Sequence, residues 1–262
     1  MKKRWIVFPL LLLSLALAAC EFTRVDVGQL QEVTETVERQ DAREARITVE
    51  MGAGELNIGA GSANLMGAEF AFNVEEWEPE VSYEVSDGVG ILAVRQPNVE
   101  GTVGIPVGDI VNRWNLTFSD ALPLEMHVAL GAGENRLSLT GLDLRSLSLE
   151  AGAGDVTVDV GGTLEELSVE AGVGELQINL GAAGRTASLN GSIQGGVGST
   201  TLMLPADVGV RVEVEQGLGG VNASGFTQDG DVYTNAAYGT SEVTIDLRVE
   251  SGVGEVSLEL AD

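Results

Sequence analysis

A short glycine-rich unit recurs along this sequence and constrains the fold more than any other feature. The unit reads small residue, Gly, small residue, Gly, acid, and alternating apolar and polar residues follow it. It occupies residues 51–58, 151–158, 171–178 and 251–258, and looser copies begin at Gly131, Gly196 and Gly217. An internal repeat of this kind indicates that one structural unit is stacked many times.

The spacing of the unit predicts stacked β-coils. From Gly131 to Gly152, Gly172 and Gly196 the steps are 21, 20 and 24 residues, which is the length of one solenoid coil. The alternation in residues 156–160 places every second side chain on one face, as a half-buried strand requires. Glycine lets the chain turn where a β-carbon would clash. We therefore predict an all-β fold, a β-solenoid of short strands of roughly four to six residues with glycine corners. A β-sandwich, with the glycine units as hairpin turns, is the alternative.

The N terminus has the layout of a secretory signal, with the basic residues 1–4 followed by the apolar residues 5–19. This run is shorter than the roughly 20 apolar residues that a membrane-spanning helix needs. Residues 17–20 resemble the lipobox of bacterial lipoproteins, which implies cleavage before Cys20 and lipid on its thiol. The alternative is cleavage at an ordinary small-residue site, with Cys20 incidental. We expect an extracytoplasmic protein, lipid-anchored to the bacterial cell membrane.

Charge and composition exclude several classes of protein. The chain has 14 Lys and Arg against 40 Asp and Glu, a formal net charge of −26, which argues against nucleic acid as a partner because nucleic acid binds basic patches. Hydrophobic residues make up 44% of the chain and are spaced periodically, which argues against disorder. Because Cys20 is the one cysteine, no intramolecular disulfide can form, and stability must come from packing.

The chain divides into four predicted parts. These are a lipoprotein signal peptide (1–19), a tether with the first strand (20–45), an N-terminal β domain (46–129) and the glycine-corner solenoid (130–262). Residues 29–46 include many helix-favouring residues, but we predict a strand from Val33 onward. Asp87-Gly88 and Asp229-Gly230 each predict a β-hairpin turn.

The acids that follow the corner glycines are the candidates for a cation site. On stacked coils, the acids after the corners would form a row of like charges about 5 Å apart: Glu55, Glu134, Asp155, Glu175 and Glu255. The candidate ligands among them are Glu134, Asp155 and Glu175. Our interpretation is that these charges are solvated, with Arg136 and Arg145 nearby. Weak Ca²⁺ binding by the three carboxylates is the alternative.

The sequence offers few residues that could serve in catalysis. His127 is the sole histidine and lies in a strand-like context, so no second histidine is available for a zinc site. The one thiol is that of Cys20, which is assigned to lipid. We expect no enzymatic activity, no metal and no cofactor. Trp77 and Trp114 either anchor the core or contact a protein or glycan partner.

Several segments resemble a known family. Residues 49–56, 64–70 and 77–83 look like the N-terminal domain of the toast-rack family, residues 112–116 and 123–126 are similar to its next stretch, and the units from Leu130 to Leu260 resemble toast-rack and adhesin-like β-solenoid domains. These motifs are structural. The resemblance implies a β-solenoid without defined chemistry, and some relatives share domains with membrane proteins that tune envelope-stress responses.

Three functional hypotheses follow. The first is a non-enzymatic scaffold or interaction module of the cell envelope, held to the membrane by lipid on Cys20 and contacting an envelope protein or glycan. The second is a sensor or regulator of envelope stress that acts through a membrane protein partner. The third is a glycan-binding or glycan-cleaving surface protein, since paired carboxylates can hydrolyse glycosides.

Overall fold

The structure is a computed structural model that describes residues 27–97, 109–181 and 184–261. These residues form one large mixed, mostly parallel sheet of 14 strands, with a single 3₁₀ turn at Glu75–Trp77. The strands are β1 (Gln31–Val37), β2 (Glu44–Ala60), β3 (Met66–Phe72), β4 (Glu80–Ser86), β5 (Val89–Arg95), β6 (Asn112–Phe118), β7 (Leu124–Leu139), β8 (Leu144–Val160), β9 (Glu166–Asn179), β10 (Leu189–Pro205), β11 (Gly209–Ala223), β12 (Thr227–Asp229), β13 (Val232–Thr234) and β14 (Thr244–Ala261). The prediction of an all-β chain is confirmed.

Seven long parallel strands form the centre of the sheet, in the order β2, β7, β8, β9, β10, β14, β11. They run for 14 to 18 residues, so the prediction of short strands is wrong. The reason is that pairing continues past the glycine corner with the register unchanged, as between β7 and β8. The final strand of the chain, β14, is inserted between β10 and β11 rather than added at the end.

The corner glycines of these seven strands lie in two columns along one edge. The first column is Gly52, Gly131, Gly152, Gly172, Gly196, Gly252 and Gly217. The second column is Gly54, Gly133, Gly154, Gly174, Gly198, Gly254 and Gly219, all with φ between 122° and 151°. A β-carbon on Gly152 would overlap the carbonyl oxygen of Gly131 in the neighbouring strand. The glycines therefore recur because each strand lies directly against the backbone of the preceding one.

Apolar residues alternate on both sides of each corner and face a common core. In β8, Leu147 and Leu149 before the corner and Val156 and Val158 after it are all buried. Equivalent residues of neighbouring strands stack in register. One such row is Val49, Val128, Leu149, Val169, Ile193, Val249 and Val214. Each strand thus covers the apolar residues of the next. This burial stabilises the fold by about 25 cal/mol per Å² of apolar surface removed from water.

The sheet divides at β2. On the side of β2 away from β7, β5 pairs with Glu44–Glu50 and β6 pairs with Glu55–Ala60. Two side chains fill the corner between these two strands. The Gln96 Oε1 accepts a hydrogen bond from the Gly52 N–H at 3.0 Å, and the Asn112 Nδ2 donates to the Ala53 carbonyl at 2.6 Å. Side-chain amides therefore form the hydrogen bonds to the backbone at the corner of β2, where no further long strand is present.

The structure contains the two predicted hairpins and the strand predicted at Val33. Asp87-Gly88 joins β4 to β5, and the turn after Asp229 joins β12 to β13, so both hairpins are confirmed. Val33 lies in β1, which confirms a strand there. The predicted boundary at residue 130 falls inside β7, which pairs with β2 along most of its length.

Replacing a corner glycine should destabilise the fold strongly. Gly174→Ala places a β-carbon on a residue with φ 140° and against the carbonyl oxygen of Gly154. We expect a loss of about 3 kcal/mol or more in the free energy of unfolding, measured by chemical denaturation. The matched control is Gly59→Ala in β2, where no atom lies within 4 Å of the new β-carbon. Equal stability of the two variants would contradict a steric requirement at the corner.

Candidate interaction surface along the glycine corner

The residue between the two corner glycines of each long strand points toward solvent. These residues form a row, here called the corner row: Ala53, Ala132, Ala153, Val173, Val197, Val253 and Leu218. The last four are 57%, 50%, 44% and 71% exposed, and they are half of the exposed large hydrophobic side chains in the described residues. Sequence reasoning missed this row, although the larger residue between two glycines was a visible signal.

Two rows of acidic side chains flank the corner row. The row that follows the corner contains Glu55, Glu134, Asp155, Glu175 and Glu255, and the row that precedes it contains Glu50, Glu150, Glu170, Glu250 and Glu215. Between the two lies a strip of apolar and glycine residues. The surface is therefore an exposed apolar line with a negative margin on each side.

Arginines neutralise Glu55 and both ends of the preceding row, Glu50 and Glu215. Glu255, at the other end of the following row, accepts a hydrogen bond from the Asn222 side chain instead. Arg113 bonds Glu55 at 2.7 Å, and this hydrogen bond raises the pKa of the Arg113 guanidinium. At the other end Arg248 bonds Glu215 at 2.5 Å and Glu250 at 3.0 Å. Within the described ranges, the acids in the middle of the rows make no salt bridge. The middle of both rows and Glu255 therefore carry the unneutralised charge.

The three predicted cation ligands lie on adjacent strands. Glu134 is in register with Asp155, whose Oδ1 accepts a hydrogen bond from the Glu175 N–H at 3.2 Å. Arg136 lines a surface pocket together with these three acids. Arg145 instead forms salt bridges with Asp143 and Glu165. Among the residues with described placement, no group of three or more His, Cys, Asp or Glu side chains is arranged to hold a metal.

An open groove of about 730 Å³ runs beside the corner row, on the side of the preceding acids. Glu150 and Glu170 line it, and Ala151 and Ala171 contribute small side chains. Its open form and carboxylates suit contact with an extended or cationic surface.

The two tryptophans have different environments. Trp114 is fully buried, stacks edge-on against Phe70 at 5.4 Å between ring centroids, and donates from Nε1 to the Asn112 Oδ1 at 3.0 Å. This burial removes Trp114 from the candidates for partner contact, because its ring fills the core beside β3. Trp77 is half-buried and lines a pocket of about 260 Å³ together with Ile110. It remains a candidate contact.

The remaining sequence-derived candidates are His127 and Cys20. His127 is half-buried in β7, with its Nδ1 at 3.2 Å from the Ser148 hydroxyl oxygen. The absence of enzymatic activity stays a prediction. Cys20 and the predicted signal peptide 1–19 lie outside the described residues. In the part of the chain that is described, no helix has the length and apolar character needed to cross a membrane.

Residues 26–166 match the profile of the N-terminal domain of toast_rack, DUF2154. The match covers more than half of the chain and ends where β9 begins. A comparison with curated proteins gave no match.

At least one solved structure shares the fold. A candidate cell adhesion protein from Clostridium sporogenes is similar with 29% sequence identity and a TM-score of 0.69, over 89% of this chain and 100% of that one. A candidate adhesin from Bacteroides fragilis has 11% identity and a TM-score of 0.28, over 90% and 99% of the two chains. A candidate lipid-binding protein from Parabacteroides distasonis has 11% identity and a TM-score of 0.34, with the same coverage.

Removing one charge from the middle of the acidic row should stabilise the protein. Asp155→Asn keeps the oxygen that accepts from the Glu175 N–H and removes repulsion from its acidic neighbours. We expect a gain of about 0.5 kcal/mol in the free energy of unfolding at low salt, and a smaller gain at high salt. Asp229→Asn, in the short strand β12, is the control and should change little. A destabilised Asp155→Asn variant would show that the carboxylate is needed there.

Proposed function

We propose that this chain, which belongs to the toast-rack family by its match over residues 26–166, is a non-enzymatic, lipid-anchored extracytoplasmic lipoprotein. In this proposal its stack of strands is a β-solenoid that serves as a scaffold and adhesion module of the cell envelope. The observation that carries the proposal is the corner row, a continuous exposed surface that seven strands present in register.

The short connections between the long strands support a β-solenoid. Residues 140–143 join β7 to β8, and residues 161–165 join β8 to β9. Five or six residue steps span at most about 20 Å. A straight strand of 17 residues, such as β8, would be about 55 Å long. Since parallel neighbours start at the same end, each strand must fold back at its glycine corner, and each strand with its connection then makes one coil.

The position of the N terminus suits a surface held away from a membrane. The Gly28 N–H donates to the Asn73 carbonyl at 2.7 Å, so the first described residues lie beside the β3 end of the sheet. Lipid on Cys20 would anchor this end. Seven strands spaced about 4.8 Å apart make a stack on the order of 30 Å long. The exposed valines of the corner row would then lie away from the anchored end.

Three observations support adhesion. The corner row places four large apolar side chains together on an exposed edge, and contiguous exposed apolar patches mark interaction sites. The flanking acids favour a partner with basic groups, through long-range attraction. The similar protein from Clostridium sporogenes is described as a candidate cell adhesion protein. A glycan is the second candidate partner, because half-buried Trp77 lines a pocket at the β2 end.

Lipid attachment should depend on Cys20 alone. In bacteria grown with a labelled fatty acid, the wild-type chain should carry label and fractionate with membranes, whereas Cys20→Ala should carry none, because it lacks the thiol that is acylated. Thr23→Ala, which keeps the cysteine, should be labelled like the wild type. A wild-type chain that is exported and cleaved but unlabelled would contradict the anchor.

Adhesion should depend on the corner row. Val173→Glu combined with Val197→Glu places two charges on adjacent strands of this row. We expect cells that display this variant to lose about tenfold or more of their binding to wells coated with peptidoglycan, mucin or fibronectin, because the apolar contact is lost.

The matched control for adhesion is Thr157→Glu combined with Gln177→Glu. It adds the same charge to two adjacent strands but away from the corner. Surface amounts of both variants would be checked with an antibody. Equal binding by the two variants, or no binding of the wild type to any coat, would contradict an adhesive corner row.

A further inference from the structure

The last strand of the seven-strand stack has an open edge. On its outer side β11 pairs with β13 along Arg211–Glu213. Hydrogen bonds from the Asn235 N–H to the Val210 carbonyl and from the Val214 N–H to the Asp231 carbonyl flank this pairing. From residue 216 to 223, the described residues provide a neighbour only on the inner side, which is β14. A row of unpaired N–H and C=O groups on a strand edge is a template for a further strand.

This open edge differs from the other strand edges of the described chain. β1 carries Glu32 and Glu35, β4 carries Glu80 and Glu84, and β12 carries Asp229. Residues 216–226 contain no charged residue and no proline. Natural edge strands use charge and proline to prevent pairing with other chains. The outer part of β11 has neither device.

Gly220 occupies a position of β11 where an acid would be expected. It stands in register with Glu255 of β14, at the position where most long strands carry an acid after the corner. No atom lies within 4 Å of a β-carbon placed on Gly220, and its φ is outside the left-handed region. Packing within the chain therefore does not require glycine here, unlike at Gly217 and Gly219, where a β-carbon would overlap β14.

We propose that this edge pairs with the same edge of a second copy of the chain, with the two β11 strands antiparallel about a twofold axis. A chain of net charge −26 repels its copies, so contact is least unfavourable where both partners lack charge. Of the described edges, only the outer part of β11 meets that condition. Leu218, 71% exposed at the end of the corner row, adjoins the interface and gains cover from the partner.

A parallel, head-to-tail continuation of the stack is excluded by the glycines. The added strand would need two glycines in register with Gly217 and Gly219, because any β-carbon there would overlap the backbone of β11, as at every other step of the stack. At the opposite end of a second copy's stack, the strand that carries two corner glycines is β2. Its outer side is already covered by β5, β6 and the side chains of Gln96 and Asn112. An isologous contact between two β11 edges also closes the assembly at a dimer.

The test is the oligomeric state of the full chain in neutral detergent, by sedimentation velocity. The wild type should be a dimer, and high salt should strengthen it by screening the repulsion between copies. Gly220→Glu restores the missing acid at the edge and should raise the dissociation constant about tenfold or more, because it brings two like charges into the interface. Leu218→Asp is a second edge variant, which decides the matter if Gly220→Glu does not fold.

The matched control is Ser199→Glu on β10. Ser199 and Gly220 lie in the same row, on either side of Glu255, so the control adds the same charge to an internal strand. It should remain a dimer. A monomeric wild type, edge variants as dimeric as the wild type, or equal dissociation of the Ser199→Glu control would each overturn the proposal. A monomer that binds an unrelated extended peptide at this edge would overturn it as well.

Discussion

The structure depends on direct contact between backbones at the glycine corner. Each long strand beyond β2 in the stack places two residues without a β-carbon against the carbonyl groups of the strand before it in the stack, and any other residue would overlap them. This contact fixes the register of seven strands at once, because a shift by one residue would put a side chain where only hydrogen fits. The stacked apolar rows and the lines of surface charge follow from that register.

The sequence predicts those parts of the fold that local pattern determines. The glycine unit and the alternation around it predict β-strands that bend at a shared edge, and Asp87-Gly88 predicts a hairpin turn through its positive φ angles. The order of the strands in the sheet cannot be derived from local sequence patterns. Nothing in residues 244–261 indicates that β14 lies between β10 and β11, since its glycine unit would fit beside any other strand of the stack. The roles of Gln96 and Asn112 were equally hidden, because they depend on where the sheet divides.

The candidate surface shows the same division between local and non-local information. The acids after the corners were identified from the repeat, and their alignment on adjacent strands followed from it. The corner row was overlooked because valine or leucine between glycines was read only as part of a bend. Trp114 was offered as a partner contact because aromatic side chains serve both cores and interfaces, and only its packing against Phe70 decides between them. Exposure at the corner is a consequence of geometry: where two columns of glycine lack side chains, the residue between them protrudes.

The most direct test of the central claim is amide hydrogen exchange along the seven long strands. If strands remain paired through the corner, the corner amides of β7 to β10 should exchange slowly, at rates close to those of the buried arms on either side. Rapid exchange at the corners, matching that of the connection at residues 140–143, would show that the glycines are flexible turns between short strands. That result would contradict the account.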